Sequence, residues 1–323
     1  LTGGGDLARD YLLTYQFRGD AHRQFTADGY VQADFHLGAQ WEAVATARYD
    51  YFSVGHHGRP TTKLTARYRN GAWTLRASYG QGFRAPTLKE KYMNFFLNDI
   101  FIIRGHEQLR PEVSHNWHVS ADWSKGGTEV SSSVSYNRVL DRITTAEPTT
   151  ERDGLSGLPF VDYINVPRLT VWNAQLCVNH RRRLGSGTLS GTFQYAFTHE
   201  QAPTVGTLTP YMPARPHSAT ARLAYDRRFS PQYAVGVQLS GRFLSALSGR
   251  EYNSATGASR TLHYPAYALL RLALTQQMGT AVRLNLTADN LLNYRPHIYY
   301  YNAPLTDGLN LSVGMTLDLD RLF

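Results

Sequence analysis

Six histidines, His56, His57, His106, His199, His263 and His297, fall in long polar connectors between segments of alternating apolar and polar residues. Imidazole is a common ligand for transition metals and for heme iron, so loop histidines are the first side chains to weigh for metal chemistry. Tyr299, Tyr300 and Tyr301 follow His297 closely, and phenol rings can stack on a flat conjugated face such as a porphyrin, a corrin or a catecholate. Each group also has a plainer reading, as solvated imidazoles or as rings packed on neighbouring loops. Phe95, Phe96, Phe101, Ile102 and Ile103 are read as half-buried loop packing, and Cys177 is assigned no role.

Catalytic patterns do not emerge. There is no serine nucleophile elbow, no HExxH pair and no paired cysteine ligands, and Gly3-Gly4-Gly5 does not lead from a strand into a helix as a phosphate-binding loop does. The expectation is a non-enzyme without an intrinsic cofactor. The net charge of +8 comes from 33 basic and 25 acidic residues, but they are scattered. The longest basic run is Arg181-Arg182-Arg183, and no recognition helix accompanies it, so nucleic acid is not expected as a partner.

The segments that must position these residues alternate with a period of two. Leu309, Leu311, Val313, Met315, Leu317 and Leu319 are apolar, while Asn310, Ser312, Gly314, Thr316 and Asp318 between them are polar or glycine. That is a strand with one greasy and one wet face. About thirteen such strands can be counted, many near the ~10 residues a tilted strand needs to cross a bilayer. Helical periodicity is absent, and mean hydropathy is −0.38, with no apolar run long enough for a membrane helix.

Short connectors centre on residues 38–40, 69–71, 124–127, 181–187, 227–232 and 278–280, and long ones are expected over 19–29, 53–60, 84–113, 148–162, 199–216, 246–265 and 294–308. Strict alternation of short and long is what the two ends of an outer-membrane barrel produce, whereas a soluble sandwich has no reason to trim one end. Aromatic residues, 12% of the chain, support that reading. Trp41, Trp73 and Trp123 sit beside short connectors in the apolar phase, and Tyr49, Tyr51 and Tyr79 sit at the opposite strand ends, as two interface girdles would require. Phe323 closes the last strand in the outward phase, resembling the signal read by the outer-membrane assembly machinery. The fold expected is all-β, an antiparallel transmembrane β-barrel, with residues 1–323 forming its C-terminal part. An unpaired first strand near residues 11–18 and the lack of a leader at Leu1 place further strands and an export signal upstream.

The segment from Ser78 to Glu90, with Phe83-Arg84-Ala85-Pro86 at its centre, resembles the FRAP region of TonB-dependent receptors. Residues 105–112 resemble their NPxLxPE region: Leu109, Pro111 and Glu112 are kept, while His106 and Glu107 replace Asn and Pro. Residues 30–34 and 47–50 resemble the hairpin before the FRAP strand, and residues 288–294 the penultimate-strand signature. The resemblance implies a barrel of about 22 strands with a plugged lumen. It further implies a TonB contact through a plug absent from this sequence, placement in outer-membrane lipid, and active uptake of a small metal chelate. Heme or a related tetrapyrrole is preferred as cargo over ferric siderophores and cobalamin. Heme receptors of this family commonly ligate iron through a histidine between the two motifs, which makes His106 the candidate ligand, with His56 and His57 next.

On the polar face Arg48, Arg67, Arg76, Arg222, Arg242, Arg271 and Arg283 would point into the lumen. They are read as pairing with Asp34, Glu42, Asp50, Asp122, Asp289 and the plug in preference to attracting anionic cargo. A passive porin, a barrel adhesin or enzyme, and a soluble β protein are the rival readings.

Overall fold

Successive side chains of a strand point to opposite faces, so the alternation written along this chain commits it to a sheet with one apolar and one polar side. The computed structural model of the chain describes residues 1–14, 21–201, 214–253, 258–296 and 303–319. Five strands come first: β1 (Thr2–Leu12), β2 (His22–Leu37), β3 (Trp41–Phe52), β4 (His57–Asn70) and β5 (Trp73–Arg84). A short helix, α1 (Leu88–Tyr92), and a small hairpin of β6 (Asn94–Leu97) and β7 (Phe101–Arg104) follow. Next are β8 (Glu112–Lys125), β9 (Thr128–Thr145), β10 (Phe160–Leu184), β11 (Gly187–Gln201), β12 (His217–Ser230) and β13 (Tyr233–Leu244). A second hairpin, β14 (Leu247–Asn253) with β15 (Ala258–Tyr264), precedes β16 (Tyr267–Met278), β17 (Val282–Asp289) and β18 (Asn310–Leu317).

Pairing runs β1-β2-β3-β4-β5-β8-β9-β10-β11-β12-β13-β16-β17-β18, a wall of fourteen antiparallel strands among the described residues. The sequence count was one short. The β6–β7 hairpin stands off this wall and joins it through a parallel contact of β7 with β10. Tight turns close the short-connector side, and Gly71 and Gly185 reach the positive φ of 54° and 59° that side chains resist.

The apolar face is continuous from strand to strand. Leu223, Leu239, Leu272, Ala288 and Leu311 stand opposite one another across five strands. Large side chains there are left uncovered by protein, with Val313 at 74% and Val119 at 59% exposure. Near the long-connector side, Tyr79, Trp117, Tyr136 and Trp172 form one row across β5, β8, β9 and β10, with ring centroids 5.3, 5.5 and 4.5 Å apart. Near the short turns Trp41 meets Tyr68 at 4.7 Å and Trp73 meets Trp123 at 6.4 Å. Of these rings the sequence reading names Trp41, Trp73, Trp123 and Tyr79; Tyr68, Trp117, Tyr136 and Trp172 join them through the register.

Two sequence expectations are corrected. The first strand begins at Thr2 and pairs with β2 instead of standing unpaired near residues 11–18, of which 15–18 lie outside the described residues, and Tyr30 opposite Gly4 lays its ring over the glycine and supplies the packing that the triple glycine lacks. Residues 53–60 are not a long loop: the turn spans 53–56, and Gly58, Arg59 and Pro60 pair with Tyr51, Asp50 and Tyr49. Strict alternation of connector length therefore fails at that point. The helix among the described residues, α1, is five residues long, too short to show helical periodicity, and opens the long connector after β5. Phe323 lies outside the described residues.

Candidate functional site

The two motif regions meet at the top of β5 and β8, where the register sets Arg84 opposite Glu112. The Arg84 guanidinium donates to Glu112 Oε1 at 2.6 Å and to both oxygens of Glu90 at 3.0 and 2.9 Å. Glu112 Oε1 also accepts from the Ile143 amide of β9 at 2.7 Å. These carboxylates hold the guanidinium charged, well above its ordinary value. Glu90 is placed by a capping box: Thr87 N–H donates to Glu90 Oε2 at 2.8 Å and Glu90 N–H to Thr87 Oγ1 at 3.2 Å, which starts α1. Ala85, Leu88 and Leu109 are buried beneath, Leu109 to 2% exposure.

Further ties pin the same connector to the wall. Arg104 donates to Asp162 of β10 at 2.6 and 3.0 Å, and Arg110 pairs with Asp141 at 2.6 Å. The Asn165 side chain accepts from Arg110 N–H at 2.8 Å and donates to the Arg110 and Asp141 carbonyls at 2.9 and 2.7 Å. Of the motif residues, Phe83 and Arg84 thus end β5 beside the start of β8, where Arg84 holds Glu112. What sequence reading missed is Thr87 and Glu90, whose Thr-x-x-Glu spacing is itself a helix-start signal.

The histidine candidates are not brought to one centre. His106 is exposed; its backbone N–H donates to the Glu90 carbonyl at 2.9 Å, which fixes the chain but not the imidazole. His56 sits in the β3–β4 turn at φ 50°, with Nδ1 3.3 Å from the Tyr51 hydroxyl. His57 begins β4 and has a buried Nε2 with no hydrogen-bond partner. His199 and His263 lie in β11 and β15 and not in loops. His297, Tyr299, Tyr300 and Tyr301 fall outside the described residues.

His57, Lys91 and Tyr92 instead mark where α1 packs on the wall. The Tyr92 ring stacks on His22 of β2 at 3.9 Å, and Lys91 is 6% exposed. Burial lowers Lys91 from its ordinary value, and burial followed by the Lys91 charge and His56 lowers His57.

The polar face divides into three zones. On β2–β5 and β8, arginines are matched: Arg48 with Asp28 and Asp50 at 3.0 and 2.8 Å, Arg67 with Glu42, and Arg76 with Asp122. Across β8–β11 one cavity is lined mostly by uncharged polar side chains, Ser120, Ser131, Ser133, Gln175 and Gln194 among them, with the Arg76–Asp122 pair and His118 at its β8 side. On β12–β17, Arg271 meets Asp289 at 3.3 Å, whereas Arg222 and Arg242 meet no carboxylate among the described residues. Arg283 donates to Gln277, and Asp34 accepts from Gln32, so the expected pairing holds for some of these charges and not for all.

Two outcomes follow from the connector's anchoring. Arg84→Met leaves Glu90 and Glu112, 15% and 19% exposed, without their cation. Losing charge-assisted bonds worth about 1.5–3 kcal/mol should raise protease nicking within residues 85–111 by roughly tenfold or more; unaltered nicking would refute the anchor. For His57, an opened connector frees the ring to take a proton that the packed state resists, so acid favours opening. The contribution is complete above the ordinary value of 6.5 and is lost as pH falls through the depressed one. Hydrogen-exchange protection factors at residues 53–57 and 88–92, which correct for the slower intrinsic exchange in acid, should fall from pH 7.5 to 5, and His57→Phe should remove that fall.

The family model for a TonB dependent receptor-like β-barrel matches residues 2–291. No curated protein sequence matches the chain. Among solved structures it resembles the siderophore receptor PirA from Pseudomonas aeruginosa, at 16% identity and TM-score 0.66, covering 98% of this chain and 52% of that one. It also resembles the FrpB iron transporter from Neisseria meningitidis, at 16% identity and TM-score 0.62, covering 93% and 46%. A ferric enterobactin receptor from Pseudomonas aeruginosa superposes at 13% identity and TM-score 0.58, over 93% and 46%. These likenesses speak to the fold, and the chain spans about half the length of the structures it matches. With the matched family model covering most of its wall and the Arg84–Glu112 junction in place, the chain belongs to the TonB-dependent receptors, in their β-barrel portion.

Proposed function

We propose that this chain forms part of the barrel wall of a bacterial outer-membrane receptor that imports a metal chelate with energy delivered through TonB. The observation that carries this is the two-faced antiparallel wall, apolar and uncovered outside and polar inside, within the matched barrel family. An uncovered apolar face of this extent is what hydrocarbon requires of a spanning barrel. The TonB contact would be made by a plug outside this sequence.

Among chelates, a ferric siderophore is the preferred cargo, ahead of heme and cobalamin. The structures it resembles are named as siderophore and iron receptors, and that likeness is the support for ranking siderophore first. His106 is exposed, and no group of three or more His, Cys, Asp or Glu side chains is arranged to hold a metal ion among the described residues. The heme reading through His106 therefore stands second, resting on the chemistry of imidazole alone.

Cells lacking the gene should lose accumulation of a radiolabelled ferric siderophore, and a proton uncoupler should abolish it in cells that carry the gene. Entry insensitive to the uncoupler would make the barrel a passive pore. His106→Ala should leave that uptake within about twofold, whereas loss of heme absorbance and a roughly tenfold weaker heme complex would make heme the cargo. The lipid assignment has its own test in vesicle unfolding titrations. Leu239→Arg, midway along β13 on the apolar face, should cost about 2–4 kcal/mol, and Ser133→Lys on the polar face should stay within about 0.5.

A further inference from the structure

Arg222 and Arg242 differ from the matched arginines of β2–β5 in having no carboxylate against them among the described residues. The register places Arg222 of β12 and Arg271 of β16 directly on either side of Ser240 of β13. Neighbouring strands lie about 4.8 Å apart, so the two arginine Cα atoms are separated by roughly 10 Å with the serine between them. Arg242 is two residues along from Ser240, about 7 Å up the same strand face. These three arginines and Ser240 line one cavity of about 550 Å³ with Thr192, Gln194 and Thr220 beside them, and Arg271 meets Asp289 there at 3.3 Å.

Like charges gathered on one patch repel, and the one acidic side chain lining this cavity is Asp289. A guanidinium presents its donors as a planar fork that matches two oxygens of a carboxylate, a phosphate or a similar group. An incoming anion would gain several such bonds and relieve the repulsion together. Position matters as well. Arg242 lies near the end of β13 that leads to the β14–β15 hairpin, and Arg222 and Arg271 lie in the halves of β12 and β16 on that side. A solute arriving past the long connectors meets this patch before the deeper polar face.

We propose that Arg222, Arg242 and Arg271, arranged around Ser240, form a binding site for a solute that carries several anionic oxygens. The oxyanion site stands on this geometry alone; that the oxyanion belongs to a metal chelate rests on the uptake function proposed above.

Calorimetric titration of the purified full-length receptor with inorganic pyrophosphate at low salt tests it. The unmodified receptor should show one saturable site that weakens as salt is raised. Arg222→Gln with Arg242→Gln should weaken it by roughly tenfold or more, and Arg283→Gln, outside this cavity, should not. Arg222→Lys with Arg242→Lys, which keeps the charge and removes the fork, should fall between, and heat-modifiable gel migration confirms that each variant is folded. No saturable binding by the unmodified receptor would overturn the proposal, and so would unchanged binding by the double Gln variant. Absent binding together with a lower Tm in that variant would also overturn it, assigning the arginines to carboxylates of the receptor itself. Iron accumulation is scored separately: pyrophosphate binding without iron uptake keeps the site and removes the uptake reading, and the converse removes the site alone.

Discussion

Lateral pairing of backbone amides governs the rest of this molecule. A wall that faces hydrocarbon has no water to satisfy a stray N–H or C=O, so each strand must give its hydrogen bonds to the next. Once that is required, side chains have two directions to take, and neighbouring residues must differ in character. The row from Leu223 to Leu311 on one face, and the row from Thr192 through Arg222, Ser240 and Arg271 to Asp289 on the other, are two consequences of one pairing scheme. A slip of one residue would exchange them, which is why register here is also chemistry.

The polar face shows what that freedom is used for. Charges taken out of bulk water are costly unless they are paired, and the matched arginines of β2–β5 obey this closely. The serines and glutamines across β9–β11 avoid the cost, and the Arg76–Asp122 pair beside them meets it by pairing. Arg222 and Arg242 follow neither course. Unmatched cations grouped on one part of the lining raise the positive potential there, and a positive potential is a means of concentrating anions. Net charge alone, spread over the whole chain, could not reveal this arrangement.

Much of the wall was legible because period two is a strong signal when both faces are committed. The last strand, several rings of the Trp and Tyr rows and most turns could be placed from residue types alone. Errors arose where local propensity was outvoted by a neighbour. Gly3-Gly4-Gly5 reads as a strand breaker until Tyr30 covers it, and Gly58-Arg59-Pro60 reads as a loop until Tyr49, Asp50 and Tyr51 stand opposite. The site was legible in a different way. The motifs marked out the Arg84 and Glu112 regions without saying that the two side chains pair, whereas the histidines were grouped by being in connectors, and membership of a connector says nothing about direction. His57 is turned into the packing beside Lys91 and His106 is left outside, a distinction set by contacts of α1 that no spacing encodes.

The Arg84 cluster also decides what kind of residue the motif supplies. Its guanidinium is taken up on both sides, by Glu90 and by Glu112, and Glu112 is further bound by the Ile143 amide. Few donors remain for a passing ligand. Such a junction is costly to assemble, because each carboxylate surrenders water, and what it secures in return is direction: the connector leaves β5, forms α1 and returns to β8 along one path. Arg104 and Arg110 repeat the device against β10 and β9 at successive points of the same connector. Motif residues therefore fix where the connector stands, and in the uptake function proposed above recognition would fall to side chains that the motif leaves unspoken for. That division explains how two regions can identify a family so well and identify its cargo so poorly.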